Sequence, residues 1–132
     1  GGGVMVQAAG VVRDCLIKGN TAPNAAGGAR VWSGMLDDCD VVSNYTGGSG
    51  GGISLSHAGI VTNTRVRYNY STVIGGAGGG VYIASGGLLT HSEISANSNN
   101  SSGTGVYMDG ILAKAEYCTI NGKVTERTIC NC

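Results

Sequence analysis

Phenylalanine is absent from this 132-residue chain, proline occurs once, at Pro23, and charged residues make up only 12%. With aromatics at 5%, any core must be filled by aliphatic side chains. Eight basic residues balance eight acidic ones, so the chain lacks the basic stripe that nucleic acid or an anionic membrane surface demands. No run approaches the roughly 18 apolar residues of a membrane span. Gly1 leads straight into patterned sequence without a charged and then apolar targeting segment, as expected of a mature chain or of a piece of a longer one. Apolar residues at three-and-four spacing are not sustained anywhere, and glycine in a helix interior costs roughly 1 kcal/mol relative to alanine. Helix is therefore disfavoured.

What is abundant is glycine, at 25 residues, alongside 42% hydrophobic residues. That apolar content is too high for a disordered glycine-rich linker, so the glycines must punctuate ordered structure. They recur in a pattern. A glycine followed by two apolar residues appears at Gly10, Gly34, Gly59, Gly87 and Gly110, at intervals averaging about 25 residues, and a period of that size is the mark of a solenoid. Two positions after each anchor come Val12, Leu36, Val61, Leu89 and Leu112, and seven after it Ile17, Val41, Val66, Ile94 and Tyr117, all expected to point inward. Five after it come the small residues Cys15, Cys39, Thr64, Ser92 and Ala115, and ten after it Asn20, Asn44, Asn69 and Asn97, with Ile120 breaking the series. A second strand with period-two alternation precedes each unit, as in Val4-Met-Val, Val31-Trp-Ser, Ile53-Ser-Leu, Val81-Tyr-Ile and Val106-Tyr-Met. Asparagine tolerates the left-handed conformation of a tight corner, and asparagines stacked at about 4.8 Å can bond through their amides as a ladder. The expected fold is all-β: a single domain over residues 1–132 forming a parallel β-solenoid of about five coils. Residues 118–132 would form a Cys-rich end segment.

The run Gly78-Gly-Gly-Val-Tyr-Ile-Ala-Ser-Gly-Gly-Leu-Leu, continuing to Ser92-Glu-Ile-Ser-Ala-Asn97, has fainter copies starting at Gly1, Gly27, Gly50 and Gly103. These units resemble the Gly-Gly-Gly-Val-Tyr repeats of right-handed β-helix proteins on bacterial surfaces, such as autotransporter passengers and polymorphic outer-membrane proteins. The resemblance covers nearly the whole chain. It implies a right-handed single-stranded β-helix, an extracellular or cell-surface location, and a role in adhesion, passenger display or fibres. A distinct branch with the same fold degrades polysaccharides, so fold alone does not choose among functions.

Cys15 and Cys39 share a column on successive coils, within the separation that a disulfide spans, so they are a candidate bridge or else two stacked thiols. Cys118, Cys130 and Cys132 lie near the end, and an odd total of five leaves at least one cysteine free or intermolecular. These three are candidates for inter-subunit or terminal linkage. Asp37, Asp38 and Asp40 flank Cys39, with Asp14 beneath Asp38; stacked carboxylates of this kind can hold calcium, but a solvated acidic face is the leading reading. Arg65 is expected between Asp40 and Glu93 as a cross-coil ion pair. Neither a zinc set nor any other cofactor is expected, since Cys130-x-Cys132 has the wrong spacing and neither His57 nor His91 is adjacent to it.

Trp32, Tyr82 and Tyr107 fall on the outward side of the early strand, aligned with Met5 and Ser54, and Tyr45 and Tyr70 form a second column. Outward aromatics suggest a surface for a neighbouring subunit, for a glycan or for the chain's own loops. No Ser-His-Asp order, phosphate-cradling loop or carboxylate pair beside a long-loop cleft emerges, so no catalytic residue is assigned and an enzyme is not expected. The expected role is an extracellular structural subunit that adds head to tail into a fibre, with self as partner. The alternative is a cell-surface adhesin that binds a glycan or host surface.

Overall fold

The computed structural model describes residues 1–74, 78–100 and 104–126. They form twenty short strands and no helix. Each coil runs through four strands. The first contains β1 (Val4–Gln7), β2 (Val11–Arg13), β3 (Leu16–Lys18) and β4 (Thr21–Ala22). The second contains β5 (Ala29–Trp32), β6 (Met35–Asp37), β7 (Asp40–Val42) and β8 (Tyr45–Thr46). The third contains β9 (Ile53–Ser56), β10 (Ile60–Thr62), β11 (Arg65–Arg67) and β12 (Tyr70–Ser71), and the fourth β13 (Val81–Ala84), β14 (Leu88–Thr90), β15 (Glu93–Ser95) and β16 (Ser98–Asn99). The fifth has β17 (Val106–Asp109), β18 (Lys114–Glu116) and β19 (Thr119–Asn121), and β20 (Val124–Glu126) then returns to the first sheet. The strands pair in parallel with their counterparts one coil away, giving four sheets of six, five, five and four strands. The molecule is a parallel β-solenoid. Among the described residues four turns carry all four strands and the fifth lacks a member of the fourth sheet, slightly fewer than the expected count of about five coils.

The core is a set of stacked aliphatic columns. On the inner side of the first sheet Val6, Val31, Leu55, Ile83 and Met108 lie in line; Leu36, Val61 and Leu89 fill the second; Ile17, Val41, Val66 and Ile94 fill the third. Burial of each such side chain contributes about 1.5–3 kcal/mol. The inner side of the fourth sheet is small and polar, with Ala22, Thr46 and Ser71 buried. Thr46 Oγ1 donates to Ala22 O at 3.0 Å and Ser71 Oγ to Gly48 O at 2.6 Å, so these hydroxyls find backbone acceptors one coil below.

The corners depend on positive φ. One corner column is Asp14, Asp38, Asn63, His91 and Tyr117, all with φ between 45° and 53°. A second, after the first sheet, is Ala8, Ser33, His57, Ser85 and Gly110, and a third is Gly19, Ser43, Tyr68, Ala96 and Gly122. The left-handed residue is thus the one before each stacked asparagine, not the asparagine itself as the sequence pattern suggested. For a non-glycine residue this conformation costs roughly 1–2 kcal/mol, which the hydrogen bonds of the following residue offset.

The fifth coil departs from its expected register. Leu89 pairs with Ala115, Thr90 with Glu116 and Ile94 with Ile120. Ala113, not Gly110, therefore occupies the anchor position above Gly87, and Lys114 N–H bonds Gly87 O. Leu112 and Tyr117, expected inside, are 63% and 73% exposed, while Ala115 is buried. The Gly110-Ile111-Leu112 turn is an insertion that mimics the repeat: it has the apolar pair but no strand beneath it.

Candidate functional site

The best-defined polar feature is the asparagine ladder. Asn20 Nδ2 donates to Asn44 Oδ1 at 3.0 Å, Asn44 Nδ2 to Asn69 Oδ1 at 2.9 Å and Asn69 Nδ2 to Asn97 Oδ1 at 2.9 Å. Each Oδ1 also accepts the backbone N–H of the asparagine one coil below, at 2.9 Å. The remaining amide hydrogens are directed to main-chain carbonyls: Asn69 to Val41 O and Asn97 to Val66 O. Asn44 and Asn69 are essentially fully buried, and a buried amide with all its partners made is far less costly than one without. The glycine repeat is part of this device. A Cβ on Gly52 would lie 2.9 Å from Asn69 Nδ2, one on Gly80 2.7 Å from Asn97 Nδ2, and one on Gly28 2.9 Å from Asn44 Nδ2. Only glycine lets the chain pass so close to the ladder.

A second ladder was visible in sequence only as smallness. Cys15, Cys39, Thr64, Ser92 and Cys118 each direct a hydroxyl or thiol to the carbonyl two residues earlier, at 2.7–3.2 Å. Cys39 N–H bonds Thr64 Oγ1 at 3.3 Å and Thr64 N–H bonds Ser92 Oγ at 3.2 Å, joining coils through side chains. The signal was present: every member carries a hydroxyl or thiol once Cys118 replaces Ala115 in the column. Cys118 accordingly belongs to the fifth coil.

The proposed Cys15–Cys39 bridge does not form; Cys15, Cys39 and Cys118 are free thiols. An in-register parallel pair points both Cβ vectors the same way, which opposes disulfide geometry. Cys15 is exposed, whereas burial pushes the Cys39 and Cys118 thiols up from their ordinary value. Cys130 and Cys132 lie outside the described residues.

The acidic group is held by cations and an amide. Asp37 takes hydrogen bonds from Asn63 Nδ2 at 2.9 Å and Arg13 Nε at 2.8 Å, which hold its carboxyl below the usual range. Asp40 Oδ2 is shared by Arg65 at 2.9 Å and Arg67 at 3.2 Å. Glu93 lies across from Arg65 in register, but the arginine's ion pair is with Asp40. Among the described residues no three His, Cys, Asp or Glu side chains gather into a metal-holding group.

The outward aromatics form ladders, with one change of column. Tyr82 and Tyr107 stack with centroids 5.9 Å apart, and Tyr45 and Tyr70 lie 5.7 Å apart. Trp32 does not join Tyr82. It stands two residues further along the strand, opposite Gln7 and Ser56, while Arg30 takes the Met5 and Ser54 column. There Trp32 stacks on His57 at 4.2 Å, with the Arg30 guanidinium 4.8 Å from its ring centre. Tyr82 donates its hydroxyl to Asp109 Oδ2 at 3.1 Å. Burial, reinforced by that carboxylate, pushes the Tyr82 hydroxyl up to about 12. Each of these rings commits stacking surface to a neighbour within the chain, surface that a sugar ring would otherwise use.

Comparison with protein-family models, with curated proteins and with solved structures finds no match to this chain.

Proposed function

We propose that this chain is a non-catalytic structural subunit of an extracellular or cell-surface β-solenoid assembly, built by head-to-tail addition of copies along the solenoid axis. The observation that carries this reading is the edge at β1, β2, β3 and β4. Each of these strands ends its sheet, and among the described residues none covers its outer side. Four aligned edges, together with Asn20 at the foot of the ladder, offer the donors and acceptors that another coil of the same register would take up. A repeated heterologous contact of this kind yields a filament.

Two further observations support the reading. The ring ladders and the ion pairs of Asp37 and Asp40 run from coil to coil and strengthen the stack, and the acids are engaged by Arg13, Arg65 and Arg67 instead of lying free in a cleft. The resemblance of the glycine-rich units to surface β-helix passengers supports the extracellular location and membership of that family. Electron microscopy of the purified chain at neutral pH, with and without reductant, tests the proposal. Regular filaments are expected, and their loss under reductant would assign the linkage to the cysteines near the C-terminus. Monodisperse particles at all concentrations would defeat the fibre reading and favour an adhesin module.

A further inference from the structure

The outer face of the second sheet differs from the others. Its strands place Val11, Met35, Ile60, Leu88 and Lys114 in one column and Arg13, Asp37, Thr62, Thr90 and Glu116 in the next. Four successive coils thus carry an aliphatic side chain outward, and Val11 is 56% exposed. Beside this stripe runs an apolar groove of about 210 Å³, floored by Ala9, Ser33, Gly34 and Ala58. The third sheet instead presents Asp40, Arg65 and Glu93, and the outward rings of the first are stacked on one another. The second-sheet stripe has no such cover within the described residues.

We infer that a second copy of this chain packs on the second sheet, face to face and with its coil order reversed. A two-fold axis along the strand direction through the third coil keeps each column over itself. Ile60 then meets Ile60, Met35 meets Leu88, and Val11 meets the aliphatic stem of Lys114. In the neighbouring column the exposed Arg13 guanidinium faces the partner's Glu116, at both ends of the contact. An axis along the solenoid that covers both columns, midway between them, would instead set the aliphatic column against the charged one. Both the apolar match and the charge match select the reversed arrangement. Strands of three residues in five coils make a contact only about 24 by 10 Å, well under the roughly 1,000 Å² that a stable interface buries, so the pair is weak and transient. This lateral contact is separate from axial stacking: it closes at two copies, whereas fibre growth is open-ended.

Sedimentation equilibrium from about 1 μM to 1 mM, a range that reaches weak association, tests it. The expected result is a monomer–dimer equilibrium. Ile60→Arg, which brings two cations together on the axis, should leave only monomer. Arg13→Glu and Glu116→Arg should each weaken the pair at least about tenfold, and the two together should restore it. In a background with Cys15, Cys118, Cys130 and Cys132 each replaced by serine, Ile60→Cys should give a disulfide-linked dimer on oxidation, whereas Ser95→Cys on the third sheet should not. Circular dichroism of each variant separates misfolding from lost contact. Monomer throughout the range, failure of the double charge reversal to restore pairing in folded protein, or equal cross-linking through Ser95→Cys would overturn the inference. Filaments that persist with Ile60→Arg leave the axial proposal standing, so the two readings fail separately.

Discussion

The third and fourth coils and the fifth are built from similar words and behave differently. In the third and fourth, a glycine and two apolar residues open the second strand, a left-handed residue turns the corner, a hydroxyl bonds back two residues, and an asparagine enters the ladder. In the fifth, the glycine and apolar pair belong to an exposed turn, a thiol takes the place of the hydroxyl, and the ladder has stopped at Asn97. The comparison teaches which part of the repeat carries the register. The apolar pair is permissive, since any loop can contain one. The corner with its back-bonding side chain is restrictive, because a buried main-chain group without a partner costs about 1–3 kcal/mol.

The largest expected difference is between two leucines that share a place in the repeat by sequence but not by structure. Leu89 is fully buried, and Leu89→Ala should destabilise the fold by about 3 kcal/mol through transfer and cavity terms, measured by urea denaturation. Asn69→Leu should cost about 2–3 kcal/mol, because it strips partners from Asn44, Asn97 and the Val41 carbonyl. Asn20→Leu, at the half-buried end of the ladder, should cost about 1 kcal/mol by the same assay; equal losses at the two positions would show that the ladder does not act as a stack. A smaller effect concerns the bond that ties the fifth coil to the fourth. The fold holds Tyr82 neutral, so its contribution is fully present below pH 10 and is lost as the pH rises towards 12. Tyrosinate absorbance should show one late-titrating component that Tyr82→Phe removes, and hydrogen exchange in β17 should quicken over the same interval. The smallest effect is Leu112→Ala, which should change stability by no more than about 0.5 kcal/mol; a loss comparable to that at Leu89 would restore the anchor at Gly110.

Much of the architecture was legible in the chain because a solenoid writes each structural column as a sequence column. Leu36, Val61 and Leu89, the four asparagines, and the Tyr45–Tyr70 pair could be aligned by counting. Two places in the chain fit more than one phase. Counting puts Trp32 in the outward column that Arg30 occupies, because a shift of two residues leaves a side chain on the same face of the strand. The Gly110 turn mimics an anchor, and counting from it hides the place of Cys118 in the second ladder.

The spacing of glycine, apolar pairs and asparagine was enough to point to a stacked all-β coil, since stacking in register lines up the apolar columns and lets the buried amides bond one another. Only the tertiary structure decided which thiols remain apart, which ring stacks on which, and that Val11, Met35, Ile60 and Leu88 form one continuous outward stripe. Those outcomes depend on the phase of each coil relative to the next, and phase is set by hydrogen bonds between residues some 24 to 28 positions apart, which no single repeat specifies.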